Sequence, residues 1–469
     1  MPTRLLGVGA AAGSLRLAAA DVAAAWNRPA GRGQAAVCAP DEDTLTLAWS
    51  AASAALGAAG VEAAHVDGLW WGTTRPPFAE GPSHAVLAAA LGLAPTSTGA
   101  LCAGSPHAGI EALLAAADAV AAGSARVALV VASDALRPAP GGPAEPRTGA
   151  GAAAFVLAAT GGRATLVARV TRTRPLLDRY RGDGEADTRD LYDARLFREE
   201  IFLPTTTDVA AALAVFEPRA WSLPDPDGRL GATIASAVGA TVVESTGIHT
   251  AVGDCGAAAS LLGACAALDA AGIVAVVATG GGRATGITID ADAPVPGAAR
   301  TMRALSSDVA ASYPDVLRAR GQLVAGGETI PMGVPPESAL FARGADEMLG
   351  LLGGRCIDCG TISTPPSVHP TCIACGASKL EPVPLARGGT VHTFVVNQTM
   401  PAPFVAPLPI AVLDLDDGAR LMLQVAGTGE GLEIGARVEL VLRKYAHERG
   451  VPVYGFKARP VRDTQDAKS

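Results

Sequence analysis

Four cysteines in the last quarter of the chain place the strictest limit on what this sequence can fold into. They form two Cys-x-x-Cys pairs, each followed by Gly and separated by twelve residues: Cys356, Cys359, Cys372 and Cys375. Such a pair with its Gly forms a tight turn that points two thiolates at one position, so two pairs complete a tetrahedral site of four sulfurs. The spacing predicts a structural zinc ribbon, because four thiolates leave no coordination position open. Another metal or a redox role is the alternative.

The composition limits the environment and the partners of the chain. Its 469 residues exceed one ordinary core, and we expect two or three domains. The other four cysteines are scattered singly, which one metal site in a reducing compartment explains better than a set of disulfides. No stretch reaches the roughly 20 uncharged apolar residues of a membrane helix. A net charge of −8 offers no broad basic surface. We therefore expect a mature cytoplasmic protein that binds neither membranes nor nucleic acid, and the excess of Ala, Gly and Pro indicates a GC-rich bacterial source.

Two stretches within the first 300 residues repeat one order of elements. Each has a turn of small residues, an Ala- and Leu-rich helical stretch, a Gly and a β-branched run. They are LCAGSPHAGIEALLAAADAVAAG before RVALVVASDA (126–135) and GDCGAAASLLGACAALDAAG before IVAVVATGGG (273–282). With GAAAFVLAA (151–159) as a further strand, the alternation is typical of an α/β domain. The repetition predicts an internal duplication with matching helices packed back to back; the general repetitiveness of Ala-rich sequence is the alternative.

Changes in composition divide the chain into five segments. Residues 172–205 are charged and contain two of the five Tyr residues, which indicates a surface insertion or cap. A later Pro- and Gly-rich stretch indicates a linker, and the short β runs after the cysteines predict a small barrel. The predicted segments are an N-terminal half (1–165), a C-terminal half (166–300), a linker (301–345), the zinc ribbon (346–382) and the barrel domain (383–469).

Cys102 is the candidate nucleophile of the first 300 residues. It lies in TGALCAGSPHAGIEALL, where an apolar strand end meets the start of a buried helix. A helix N-terminus lowers a thiol pKa and stabilises an oxyanion. A small buried thiol in an Ala-rich core is the alternative, and position alone does not decide between them.

The chain resembles two known families over nearly its whole length. Residues 41–56 and 71–93, the Cys102 turn, GDCGAAASLLGACAAL and TGGGRATG are similar to the hydroxymethylglutaryl-CoA synthase and ketoacyl synthase III branch of the thiolase superfamily. The cysteine pairs and the β runs after them resemble the zinc-ribbon plus OB-fold domain that accompanies acyl-CoA thiolases. The resemblance implies a duplicated, five-layered α-β-α-β-α fold followed by a ribbon and a small OB-type β-barrel, usually as a homodimer.

The same resemblance implies roles for two sites. Cys102 matches the residue that takes an acyl group from coenzyme A or an acyl carrier protein and passes it to an acyl acceptor. Gly281 or Gly282 matches the turn whose backbone N–H joins that of Cys102 in an oxyanion hole.

Three positions depart from the family pattern. Glu217 in LAVFEPRA stands where the family has His, Asp254 in VGDCG where it has Asn, and Thr74 or its neighbour where hydroxymethylglutaryl-CoA synthases have a general-base Glu. Carboxylates at the first two positions favour proton removal or a cationic intermediate. Glu217 and Asp254 are therefore catalytic candidates, and the usual decarboxylative condensation and authentic hydroxymethylglutaryl-CoA synthesis are both disfavoured.

The remaining pocket candidates carry less weight. His107 lies five residues after Cys102 and would point away from it by roughly 140° on a helix, so no Cys-His pair is expected. His249 lies close to Asp254 in the chain and could enter the pocket, or could be an ordinary turn residue. Glu80 belongs to a segment that borders the partner subunit's pocket in the family.

Three functions follow from these patterns. The first is an acyltransferase or C–C bond-forming condensing enzyme that works through an acyl-Cys102 thioester on CoA-linked or carrier-linked substrates. The second is retro-aldol or thiolytic cleavage of a CoA-linked chain, with Glu217 as base. The third is a scaffold that binds acyl-CoA without turnover.

Overall fold

The computed structural model describes residues 3–29, 31–175, 178–189, 194–324, 344–400, 404, 406–429, 431–448 and 451–461. The chain divides into two compact units. The first comprises Met1–Ala88 and Leu93–Val324, and the second comprises Ala89–Gly92 and Ala325–Ser469.

Strands and helices alternate up to residue 324. The strands are β1 Arg4–Ala12, β2 Leu15–Ala18, β3 Gln34–Val37, β4 Gly68–Thr73, β5 Thr98–Ala103, β6 Val127–Ala135, β7 Ala150–Ala158, β8 Ala164–Thr173, β9 Ala220–Ser222, β10 Gly272–Gly280 and β11 Arg283–Ala291. The α-helices are α1 Ala19–Ala25, α2 Thr44–Ala59, α3 Ser83–Leu91, α4 Ala108–Ala122, α5 Ala194–Leu196, α6 Leu203–Ala214, α7 Leu230–Val238, α8 Glu244–Val252, α9 Ala259–Ala267, α10 Thr301–Ala304 and α11 Tyr313–Ala319. The three strands predicted from sequence are β6, β7 and β10.

Nine of these strands form one sheet in two similar halves. Its order is β5-β4-β6-β7-β1-β8-β11-β10-β9. The halves join where β1 pairs with β8, through Arg4 with Thr165 and Leu5 with Ala164. Each half has parallel strands at its outer end and antiparallel strands toward the junction. This repeated order confirms the predicted duplication.

Helices cover both halves on each face. Val8 of β1 belongs to the central core, whereas its neighbour Gly9 faces α2, where an added Cβ would lie 2.3 Å from the carbonyl oxygen of Ala51. The small residues on α2 and β1 therefore allow close helix-on-sheet packing. Helices α4 and α9 contribute buried residues to the core shared by both half-sheets, and α6 packs on the other face of β10 and β11. The layers α2, half-sheet, α4 with α9, half-sheet and α6 confirm the five-layered fold.

The second unit contains a small three-stranded sheet and a five-stranded barrel. A one-turn helix, Ala345–Met348, precedes β12 Leu352–Cys356, β13 Ile362–Ser363 and β14 Leu380–Pro384. The barrel strands are β15 Gly388–Asn397, β16 Leu408–Leu415, β17 Arg420–Gln424, β18 Arg437–Glu448 and β19 Val451–Pro460. Their order is β17-β16-β15-β18-β19, and a bridge from Val425 to Ala458 brings the two edges together. This nearly closed barrel confirms the OB-type prediction.

The linker predicted at 301–345 needs correction in its first half. Residues 301–324 form α10 and α11 and bury Leu305, Tyr313 and Val316 in the first unit. The Tyr313 hydroxyl donates to the buried Glu145 at 3.0 Å, which fixes this stretch in place. Residues 325–343 lie outside the described part of the chain. Within the described part, no helix has the length and hydropathy needed to span a bilayer.

Candidate functional site

Cys102 lies near the end of β5, the edge strand of the sheet. It stands opposite Gly72 of β4, and the chain then turns at Gly104, with φ at 98°, before α4 begins at Ala108. The side chain is half-buried. Burial, and then the charge of Glu111, raise the pKa of the Cys102 thiol. The predicted lowering by a helix N-terminus is therefore wrong, because α4 starts six residues further along the chain.

The glycine turn between β10 and β11 lies against the segment that follows Cys102. Gly281 and Gly282 have φ values of 59° and 72°, in the left-handed region that favours glycine. A Cβ on Gly281 would lie 3.0 Å from the Ser105 Cβ, and one on Gly280 would lie 3.0 Å from the His107 nitrogen. The structure thus brings together the two sequence motifs predicted to share a site. The role of the turn as an oxyanion hole stays a prediction.

A carboxylate that the sequence did not reveal occupies this turn. The Gly281 N–H donates to Asp178 Oδ2 at 2.7 Å, and the Gly282 N–H donates to the same carboxylate. Asp178 comes from the charged stretch 172–205. Burial raises the pKa of Asp178, and the two glycine N–H groups act in the opposite direction. The glycine N–H groups predicted as oxyanion donors are therefore already bonded to a carboxylate.

Arg179, the residue after Asp178, holds the catalytic candidate Asp254 in place. The Arg179 guanidinium lies 3.1 Å from Asp254 Oδ2, and both side chains are largely buried. Further along, Arg75 donates to the carbonyl of Ala186 at 2.6 Å. The described segment 178–189 therefore contacts both the glycine turn and Asp254, as expected of a cap. The sequence indicated this segment only by its charge, since its partners lie 75 to 111 residues away in the chain.

Thr74 is bonded into a buried network. Its N–H and its hydroxyl both donate to Asp134 Oδ1 at 2.8 Å, and the Ala257 N–H donates to Asp134 Oδ2 at 2.6 Å. Burial raises the pKa of Asp134 to about 6, against the pull of these donors. Asp134 thus connects the end of β4 to the turn before α9. A single acidic residue at the end of β6 was the only sequence signal for it.

Glu217 does not lie at this site, which corrects its assignment as a catalytic residue. It is exposed and precedes β9, whose Ala220 pairs with Val274 near the start of the parallel strand β10. The Gly281 turn follows the other end of β10, on the order of 20 Å away along the strand. The carboxylate that follows the C-terminal end of β9 is Asp225, which is buried. The mainly apolar run Ala-Trp-Ser-Leu before Asp225 was the signal that could have placed strand β9 correctly.

The other candidates occupy varied positions. His249 is half-buried on α8 and lines a cleft with Asp254. Glu80 is exposed before α3. His107 is buried with its Nε2 2.8 Å from Thr285 Oγ1 and its Nδ1 3.1 Å from Glu111 Oε1, and burial lowers the pKa of His107. These contacts agree with the expectation that His107 forms no pair with Cys102.

The four ribbon cysteines form a second, separate site. Their sulfurs lie within 4.8 Å of one another, with Sγ–Sγ distances of 3.7 Å for Cys356–Cys375 and 3.5 Å for Cys359–Cys372. A tetrahedral zinc with Zn–S bonds of about 2.3 Å requires about 3.8 Å between sulfurs. In each pair, the N–H of the following Gly donates to the carbonyl of the first Cys at 2.9 Å. These residues fit a zinc ion, which they would hold in a closed shell.

Comparison with known proteins identifies the C-terminal part. Residues 382–443 match the family model of the ChsH2 C-terminal OB-fold domain. The chain is also 34% identical over 124 residues to a DUF35 domain-containing scaffold protein of Methanothermobacter thermautotrophicus, covering 25% of this chain and 92% of that protein. The C-terminal part of this chain belongs to the DUF35 family.

The rest of the DUF35-containing chain is similar to condensing enzymes. It is 29% identical over 291 residues to the hydroxymethylglutaryl-CoA synthase of Methanopyrus kandleri, covering 57% of this chain and 80% of that enzyme. A hydroxymethylglutaryl-CoA synthase solved with CoA has a TM-score of 0.61 at 16% identity, covering 71% of this chain and 92% of its own. The 3-oxoacyl-(acyl carrier protein) synthase III of Pseudomonas aeruginosa PAO1 has a TM-score of 0.54 at 22% identity, covering 63% of this chain and 99% of its own. The chain thus joins a thiolase-like fold to a DUF35 domain.

Proposed function

We propose that this DUF35-containing chain is an acyl-thioester condensing enzyme that works through an acyl-Cys102 intermediate. The observation that carries the proposal is the packing of the Gly281–Gly282 turn against the segment after Cys102. The likeness to hydroxymethylglutaryl-CoA synthase supports CoA thioesters as donors, with acyl carrier protein as the other candidate carrier. Intact-mass spectrometry after incubation with acetyl-CoA and longer acyl thioesters tests the proposal.

The first half-reaction uses the residues around Cys102. The Cys102 thiol loses its proton and its sulfur attacks the thioester carbonyl of the donor, whose oxygen gains negative charge. The C–S bond to the donor then breaks, and the departing thiolate takes up a proton to leave as the free thiol. Backbone N–H groups aimed at that oxygen stabilise the charge, and Gly281 or Gly282 supplies one of them together with the N–H of Cys102. Asp178 must leave these donors before the substrate oxygen can bind. Asp254, held by Arg179, anchors the segment that carries Asp178.

Replacing Asp178 by Ala is expected to raise the rate of Cys102 acylation about tenfold, since a hydrogen bond to a charged acceptor contributes about 1.5–3 kcal/mol and this one competes with the substrate. The acylation rate is measured by quenched-flow mass spectrometry with acetyl-CoA. Asp183→Ala, an exposed acidic residue of the same segment, is the matched control. An unchanged or slower rate in Asp178→Ala would show that Asp178 does not block the turn.

Alkylation of Cys102 is expected to be slow at pH 7 and to rise about tenfold per pH unit up to at least pH 9. The thiolate is the reactive form, and burial and Glu111 raise the pKa of Cys102, so the thiolate fraction increases across this range. Iodoacetamide labelling followed by peptide mass spectrometry measures the rate, with Cys102→Ala as the blank. A rate that is already constant from pH 6 to 9 contradicts this expectation.

The enzyme is proposed to act as a homodimer in the cytoplasm. Strand β5 is a sheet edge, and Thr98, Gly99 and Ala100 on it are exposed. An edge strand presents unpaired N–H and C=O groups that a second copy can bond. Because Cys102 lies on the same strand, pairing of two β5 strands would place the nucleophiles of the two copies near one interface.

A scaffold function is the second candidate. Two relatives of the DUF35 domain, from Methanothermobacter thermautotrophicus and Methanocaldococcus jannaschii, are named scaffold proteins. The bonding of Asp178 to the glycine turn also favours it, since a blocked turn does not stabilise an oxyanion. Binding of acyl-CoA without a Cys102 adduct would support this function over catalysis.

The zinc ribbon takes no part in the proposed chemistry. Bound zinc would hold the two cysteine turns together as a structural centre, because Cys356, Cys359, Cys372 and Cys375 fill its coordination shell.

A further inference from the structure

A cleft at the C-terminal end of β9 contains acid–base groups that the proposed first half-reaction does not use. It is a narrow cleft between α8 and the start of α9. The polar side chains that line it are those of Asp225, Ser245, His249 and Asp254.

Asp225 is the unusual member of this group. Its side chain is buried, with the residue only 8% exposed, and within the described structure its Oδ1 has no hydrogen-bond partner. Its carboxylate accepts the Gly231 N–H. A buried carboxylate oxygen without a hydrogen-bond donor destabilises the folded state, so its presence in a native structure calls for an explanation. The open oxygen therefore points to a function for the cleft.

His249 is the basic residue that lines the same cleft. A Cβ on Gly228 would lie only 3.0 Å from His249 Nε2, so the imidazole packs directly on the turn that follows Asp225. Gly228 has a φ of 74°, and it leaves room for the ring at this position. Burial raises the pKa of Asp225, whereas the Gly231 N–H and the charge of His249 act to lower it.

A chain of hydrogen bonds links this cleft to the strand of Cys102. Asp254 accepts the Gly256 N–H at 3.0 Å, and the adjacent Ala257 N–H donates to Asp134, which also binds Thr74 at the end of β4. Helix α4, which follows Cys102, meets the same turn: a Cβ on Gly109 would lie 2.1 Å from the Ala257 carbonyl oxygen. The cleft and the Cys102 segment thus border one rigid turn.

We propose that His249 is the acid–base residue of the second half-reaction and that Asp225 positions it; this rests on the function proposed above. The neutral imidazole takes a proton from the α-carbon of an acceptor acyl thioester. The resulting carbanion attacks the carbonyl of acyl-Cys102, the new C–C bond forms, and the C–S bond to Cys102 breaks. The proton on His249 then returns to the departing Cys102 thiolate. The acceptor class is therefore a thioester with an α-hydrogen, condensed without loss of carbon dioxide.

His249→Gln is expected to leave acyl-Cys102 formation unchanged and to slow condensation about 100-fold, because general-base catalysis contributes roughly 10²–10⁴-fold. Intact mass measures the adduct, and release of CoA with formation of the 3-oxoacyl product measures turnover, with acetyl-, butyryl- and hexanoyl-CoA as probes. His65→Asn, an exposed histidine outside the cleft, is the matched control. Glu217→Gln, which changes a carboxylate distant from the Gly281 turn, is expected to condense normally.

The Asp225→Asn variant distinguishes a role of Asp225 in positioning His249 from a merely structural role. Loss of the carboxylate charge is expected to lower kcat for condensation about tenfold while KM and acyl-Cys102 formation stay unchanged, because a misplaced catalytic group slows the chemical step without weakening binding. Normal condensation by His249→Gln, or an unchanged kcat in Asp225→Asn, overturns the inference. Absence of any adduct in the natural protein instead overturns the proposed function.

Discussion

Cys102→Ala is expected to abolish the acyl adduct and to reduce condensation by roughly a thousandfold or more, since removal of a nucleophile from a covalent mechanism has effects of this size. The fold should be unaffected, because Cys102 is half-buried at a sheet edge and Ala has nearly the same shape. Intact-mass spectrometry and CoA release, both with the acyl-CoA series, measure the two effects.

Cys38→Ala is the matched control for this variant. Cys38 is also half-buried, and it lies outside the segments that contact the Gly281–Gly282 turn. It should form the adduct and turn over normally. An adduct of unchanged mass and amount in Cys102→Ala, or full turnover by that variant, contradicts the acyl-Cys102 mechanism and favours cleavage chemistry that needs no acyl-enzyme.

Cys372→Ala is expected to unfold the ribbon while the thiolase-like unit stays folded. The ribbon sheet of β12, β13 and β14 is too small to bury much apolar surface, and metal binding contributes about 10 kcal/mol or more to such folds. Hydrogen exchange should become fast across residues 350–382 and stay slow in the core strands β6, β7 and β10. Zinc content, measured by mass spectrometry, should fall from one ion per chain to none.

The control for this experiment is Ser367→Ala, an exposed residue between the two cysteine pairs. It should keep zinc and slow exchange. Chelation of the natural protein at neutral pH should reproduce the effect of Cys372→Ala. A natural protein that contains no metal and still shows slow exchange over residues 350–382 would refute the zinc assignment.

The sequence predicted those parts of the molecule whose signal is local. Strands β6, β7 and β10 are largely apolar runs, and β6 and β10 follow Ala-rich helices, so their type follows from neighbouring residues. The cysteine site also follows from spacing alone, because two short turns fix all four sulfurs. The linker was misplaced because a Pro- and Gly-rich composition does not show that Leu305 and Tyr313 are buried.

The site around Cys102 could be predicted only in part. The nucleophile and the glycine turn each have a recognisable local pattern, and the structure places their segments in contact. Glu217 was misassigned because the strand begins three residues after it, and an error of a few residues moves a side chain to the opposite end of a strand. Asp178 and Asp225 were missed because a single Asp in a polar stretch carries no signal of its own.

The sequence by itself determined the duplicated α/β fold, the OB-type barrel and the four-cysteine cluster, and it singled out Cys102 as the candidate nucleophile, since each depends on residues close together in the chain. Only the tertiary structure decided what surrounds the nucleophile. It placed Asp178 on the Gly281–Gly282 turn and Asp225 beside His249, across separations of 24 to 103 residues. Such pairings depend on how strands and helices pack, because packing alone determines which distant polar groups are buried against each other.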